Sequence, residues 1–120
     1  MKKYQFILIG LLVFSASSCV QKAYKKTVVI TLTVQNGKDI KTVGIRGNGK
    51  PLSWDTDFEM KPLIKDTLYT ATATTVTGYK FAEIKFTVNG EFELKKQPNR
   101  RLVFSERDTT FYNAVFNLVQ

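Results

Sequence analysis

Carboxylates that could act together include Glu91 with Glu93, and Asp55 with Asp57 and Glu59. Two carboxylates can cleave a glycosidic bond when they stand on either side of the substrate. Residues two apart on one extended strand share a face and cannot straddle a sugar ring, so Glu91 and Glu93 do not read as a catalytic pair. The alternating acids 55, 57 and 59 raise calcium, but the stretch lacks both the glycine and the closing glutamate of an EF-hand loop. It reads as a solvated acidic loop. Histidine is absent, which removes the usual general base and the commonest metal ligand. The one cysteine, Cys19, cannot build a thiolate cluster by itself. The expectation is a chain without catalysis, metal or cofactor. Binding remains. Trp54, the single tryptophan, stands in "GNGKPLSWD" (47–55), among turn-forming residues rather than in a hydrophobic run. An aromatic raised to a surface by a turn offers a flat face to the C–H patches of a sugar ring, while polar neighbours take the hydroxyls. The competing reading makes Trp54 a plug at one end of a core.

The elements that must position these residues read as strands throughout. "TVVITLTVQ" (27–35) alternates with period two, placing Val28, Ile30, Leu32 and Val34 on one face. "NGKD" (36–39) is a turn, and "IKTVGIRG" (40–47) is a second strand with Val43 and Ile45 facing one way. Residues 48–57 form the loop that carries Trp54. Pro62 restricts pairing in "FEMKPL" (58–63). "DTLYTATATTVT" (66–77) and "YKFAEIKFTV" (79–88) follow. The latter directs Ala82, Ile84, Phe86 and Val88 to one side and Phe81, Glu83 and Lys85 to the other. "NG" at 89–90 is the strongest hairpin signal in the chain and leads into "EFEL" (91–94). After the "KKQPN" loop come "RRLVFS" (100–105) and "TTFYNAVFNLV" (109–119). Short strands with frequent turns and no helical periodicity predict an all-β fold. The specific expectation is a small antiparallel β-sandwich of seven or eight strands, immunoglobulin-like but without the two core cysteines.

The N-terminus follows a different logic. "MKK" is basic, "YQFILIGLLVF" is apolar, and "SASSC" is a small-residue cleavage site ending at Cys19. The pattern resembles a bacterial lipoprotein signal peptide, in which the cysteine after the cleavage point is lipidated. Ala16 stands where the usual box has leucine. The implied organisation is a signal peptide over 1–18, the lipidated Cys19 with a basic tether over 19–26, and a domain over 27–120. Loss of Lys2 and Lys3 with the signal lowers the formal charge from +8 to +6. "KAYKK" (22–26) fits a tether near lipid head groups, and the remaining basic residues are scattered. Nucleic acid is not an expected partner, because an exported lipoprotein rarely meets it. The expected location is the bacterial cell envelope, anchored to a membrane, with the periplasmic side favoured over the cell surface.

The order "VGIRGNGKPLSW", "EIKF", "FELKKQPNR" and a terminal aromatic strand resembles the starch-binding domain of the family-20 carbohydrate-binding modules. "PLSWD" and "QPNR" resemble the variant found in lipoproteins and hydrolases of Bacteroidetes-type bacteria. The resemblance spans roughly residues 27–118 and implies binding of an α-glucan such as starch or maltooligosaccharide. Carried over by position, it implies a sugar site of Trp54, Lys85, Phe92, Glu93 and Asn99. Phe92 stands where the family has a second tryptophan, and the segment to Asn99 is two residues longer, so Leu94 competes with Phe92 for the second aromatic place. Lys41 occupies the place of a tyrosine in the family's other site, which therefore reads as lost. The implied partners are the glycan, the membrane through Cys19, and a separate glycan-degrading enzyme or transport complex. The alternative is a structural or protein-interaction lipoprotein that keeps the sandwich and has lost the sugar site.

Overall fold

A computed structural model describes residues 22–119. The expected signal segment and Cys19 lie outside the described residues. The order of elements is β1 (Tyr24–Thr33), β2 (Val43–Gly47), β3 (Phe58–Glu59), β4 (Lys61–Ile64), β5 (Leu68–Thr77), β6 (Phe81–Val88), β7 (Glu91–Phe92), β8 (Arg100–Val103) and β9 (Thr109–Val115). The described residues are all-β and form two sheets. The first has the order β4-β5-β1-β9. In the second, β3-β2-β6 is completed by β7 and β8, which both pair with the far edge of β6.

Period-two patterning explains the strands. Val28, Ile30, Leu32 and Val34 are all buried, as are Val43 and Ile45 on β2 and Ile84 and Phe86 on β6. Inward residues of both sheets join in one apolar cluster, with Met60, Tyr69 and Leu102 among its members. Met60 sits where the chain changes sheets, for Phe58–Glu59 pair with β2 and Lys61–Ile64 pair with β5. Pro62 is tolerated because β4 is an edge strand. Asn89 and Gly90 both have positive φ, 51° and 80°, and close the β6–β7 hairpin as a two-residue turn of the primed kind. The described residues form a continuous apolar core that joins both sheets, and on that ground the segment 22–120 is expected to fold by itself.

Two expectations need correction. Among the described residues there are nine strands, because the 58–64 region divides into two. The fold is also not wholly antiparallel: β1 and β9 run side by side in the same direction, from Thr27 opposite Thr109 to Thr33 opposite Val115. A parallel pair needs a crossover, not a hairpin. Here the connection is everything from β2 to β8, which enters the second sheet, returns to the first for β4 and β5, and crosses to the second again. Alternation reports which side chains point inward, and it carries no information on strand direction.

Phe86 is fully buried at the centre of this core. Phe86→Ala is expected to lower unfolding stability by about 3–5 kcal/mol, read as a reduced urea midpoint with an unchanged slope.

Candidate functional site

Outward positions of the second sheet bring part of the expected site together. Arg46 on β2 lies directly opposite Lys85 on β6, and Phe92 on β7 lies opposite Thr87. These four share the outer face, since their neighbours Ile45, Ile84 and Phe86 point into the core. Like charges directly opposite across a ladder are unfavourable, and each is answered separately. The Lys85 Nζ donates to the carbonyls of Leu94 and Gln97 at 3.1 and 3.0 Å. The Arg46 Nε donates to the Asp57 Oδ1 at 2.6 Å, and the same oxygen accepts from the Thr87 hydroxyl at 2.9 Å.

Arg46 organises the aromatics as well. Its Nη1 donates to the Trp54 carbonyl at 2.8 Å, and its guanidinium carbon lies 5.2 Å from the centre of the Phe92 ring, within cation–π range. Further bonds hold the Trp54 loop: Gly47 N to Ser53 O at 3.3 Å, Asp55 N to Ser53 Oγ at 3.0 Å, and Glu83 N to Asn48 Oδ1 at 2.8 Å. Trp54 and Phe92 are 36% and 37% exposed. Both residues are therefore partly exposed, and the Trp54 backbone is held by Arg46.

Gly44 makes the arrangement possible. A Cβ there would stand 2.5 Å from the Asp57 Cγ, so only glycine lets the carboxylate lie against the sheet and reach both Arg46 and Thr87. Gly44→Ala is expected to displace Asp57 and cost about 1–3 kcal/mol, measurable by chemical denaturation.

Glu93 is a correction. It is 0% exposed, and four donors occupy its carboxylate: the Arg100 Nε and Nη2 at 2.6 and 2.9 Å, Phe86 N at 3.0 Å and Asn117 N at 3.0 Å. No group is left to hold a hydroxyl. The reason lies in β6, whose far edge is shared end to end by β7 and β8. The chain between them must leave the ladder, and Glu93 turns inward to cap the exposed backbone. Leu94 follows with a positive φ of 48° and is buried, so the half-exposed aromatic on the outer face is Phe92. Asn99 is exposed, and borders a shallow depression with Pro98, Tyr112 and Val119 in which neither Trp54 nor Phe92 takes part. Of the five expected residues, Trp54, Lys85 and Phe92 gather around Arg46; Glu93 is internal and Asn99 stands apart.

Arg46 and Arg100 were not singled out as site residues by the sequence. Arg46 had a usable signal, since it alternates with Ile45 and must face outward, but the residue opposite it depends on strand register. Burial of Arg100 on its own would lower its pKa; hydrogen bonding to Glu93 and the charge of that carboxylate more than reverse this, with a lesser contribution from Tyr112, and the net shift is upward. The contribution of Arg100 is therefore fully present below the ordinary arginine value, and is lost only as pH rises through the higher folded value.

Comparison with protein-family models finds no match, and comparison with curated proteins finds none either.

Removing one partner of a buried ion pair leaves the other charge uncompensated. Glu93→Ala is expected to cost about 3–5 kcal/mol, whereas the double variant Glu93→Leu with Arg100→Met should recover much of the loss. A denaturant series on the three proteins separates the charge penalty from lost packing.

Proposed function

We propose that this chain is a non-catalytic, envelope-anchored carbohydrate-binding domain, an immunoglobulin-like β-sandwich of the starch-binding type, whose ligand is an α-glucan. The supporting observation is the Arg46 node: one guanidinium holds the Trp54 carbonyl and lies against the Phe92 ring. Both aromatic residues at this guanidinium are partly exposed. A sugar would stack on Trp54, and Phe92 would border it. Arg46, not the internal Glu93, is the polar group beside the rings. Lys85 acts through the loop it ties down. The choice of α-glucan rests on the sequence resemblance.

Titration of residues 22–120 with maltoheptaose by calorimetry tests the reading. Weak binding is expected, abolished in Trp54→Ala and lowered about three- to tenfold in Phe92→Ala, in line with about 0.5–1.5 kcal/mol for an aromatic face. Absence of binding by the wild type, or binding unchanged in Trp54→Ala, would sink the site.

A second reading has its own support. Lys85 and Glu93 are both engaged within the protein, and one side of Phe92 faces a cation. A structural or protein-interaction lipoprotein that retains this fold fits those facts. It predicts Trp54 fluorescence unaltered by maltooligosaccharide, and cross-linking of a protein partner to the Trp54 face.

A further inference from the structure

The end of the domain where β1 begins has a character of its own. Four segments meet there: the entry into β1, the loop after β2, the turn between β5 and β6, and the connection from β8 to β9. They carry Lys22, Lys25, Lys26, Lys50, Lys80 and Arg107, against Asp55, Asp57, Glu106 and Asp108, and of these acids Asp57 is already paired with Arg46. The far end mixes Lys38, Lys41 and Lys65 with Asp39, Asp66 and Glu91. Lys26 is built in, donating to the Ser105 and Arg107 carbonyls at 2.9 Å each. This ties the entry of β1 to the β8–β9 connection, while Lys25, Lys50 and Lys80 stay exposed.

The same end shows apolar surface that the core does not use. Tyr24 and Tyr79 are 58% and 78% exposed, and Phe81 is 38% exposed. Between the sheets an apolar cleft of about 100 Å³ opens under Tyr79, Phe81 and Pro51, floored by Val28, Ile30 and Ala73. Aromatics ringed by lysines form the composition that settles at the boundary of lipid head groups and acyl chains. The location agrees with the chain's course. Cys19 precedes Tyr24 by five residues, and that length of chain spans at most about 17 Å. A lipid on Cys19 would hold this end, and no other, against the bilayer.

We propose that this basic, aromatic end is a docking surface for an anionic lipid membrane. Lysines 25, 50 and 80 meet the head-group phosphates, and Tyr24, Tyr79 and Phe81 sit at head-group depth. The acyl anchor then sets only the distance from the membrane, and the protein surface sets the orientation. The outer face of the second sheet lies on the flank of the molecule. Docking by the end leaves Phe92 on that flank open to solvent, whereas Trp54 shares the loop after β2 with Lys50.

Sedimentation of residues 22–120, which carry no acyl group, with vesicles of phosphatidylglycerol and phosphatidylcholine tests the proposal. Binding to these vesicles and none to pure phosphatidylcholine is expected. The triple variant Lys25→Glu, Lys50→Glu, Lys80→Glu should lower partitioning by about tenfold or more. The variant Lys38→Glu, Lys41→Glu, Lys65→Glu, with the same net charge, should stay within about twofold of wild type. Tyr79→Ser, at a side chain outside the core, should lower partitioning several-fold without altering thermal unfolding. Failure of the wild type to bind anionic vesicles would overturn the proposal. So would equal losses in the two triple variants, which would reduce the effect to net charge.

Discussion

The buried pair of Glu93 and Arg100 is the constraint on which the second sheet depends. Two short strands share one edge of β6, and the chain between them has to leave the ladder and return. That would strand backbone donors in an apolar interior, at a cost of the same order as a lost hydrogen bond for each. Glu93 meets the N–H groups of Phe86 and Asn117. Arg100 neutralises it and carries the connection on to the carbonyls of Val115 and Leu118. Four segments distant in sequence are joined by two side chains. None of the described buried side-chain polar atoms lacks a partner, which is the condition under which an interior ion pair is tolerable.

The outer face follows from that interior. Because Glu93 points inward, Phe92 points outward, and because the loop after it doubles back, its carbonyls reach Lys85. Lys85 drawn to that side leaves the neighbouring Arg46 to Asp57, Trp54 and Phe92. The two cations sit opposite one another without conflict because each has a different partner. The surface that carries the binding proposal is thus a consequence of how the β7–β8 gap is closed.

The two proposals share one segment, for the loop after β2 carries both Lys50 of the docking end and Trp54 of the glycan face. The parallel pairing of β9 with β1 shapes the docking end. It brings the β8–β9 connection beside the entry of β1, where Lys26 clamps it, and gathers the loops rich in lysine and tyrosine at one pole. A hairpin ending would have sent that connection elsewhere.

The candidate site was half legible in the sequence. Trp54 in a turn and Lys85 on an outward face could be read locally, one from turn chemistry and the other from alternation. Phe92 and Glu93 could be read as facing opposite ways, but not which of them met water. That is decided by whether a cation lies inside to receive a carboxylate, and Arg100 lies seven residues further along. Asn99 looked like a site residue by its place in the motif, whereas the loop carries it away from the aromatics.

By itself the sequence determined the all-β class, the inward faces of the strands that became β1, β2 and β6, and the Asn89–Gly90 turn, because side-chain alternation and turn preferences act within a few residues. The parallel β1–β9 pair, the division of the 58–64 region between two sheets, the Glu93–Arg100 bond and the Arg46 node were decided only by the tertiary structure. Each depends on which strands become neighbours and in what register, and that is settled by the joint burial of apolar faces and the pairing of backbone groups across the whole chain.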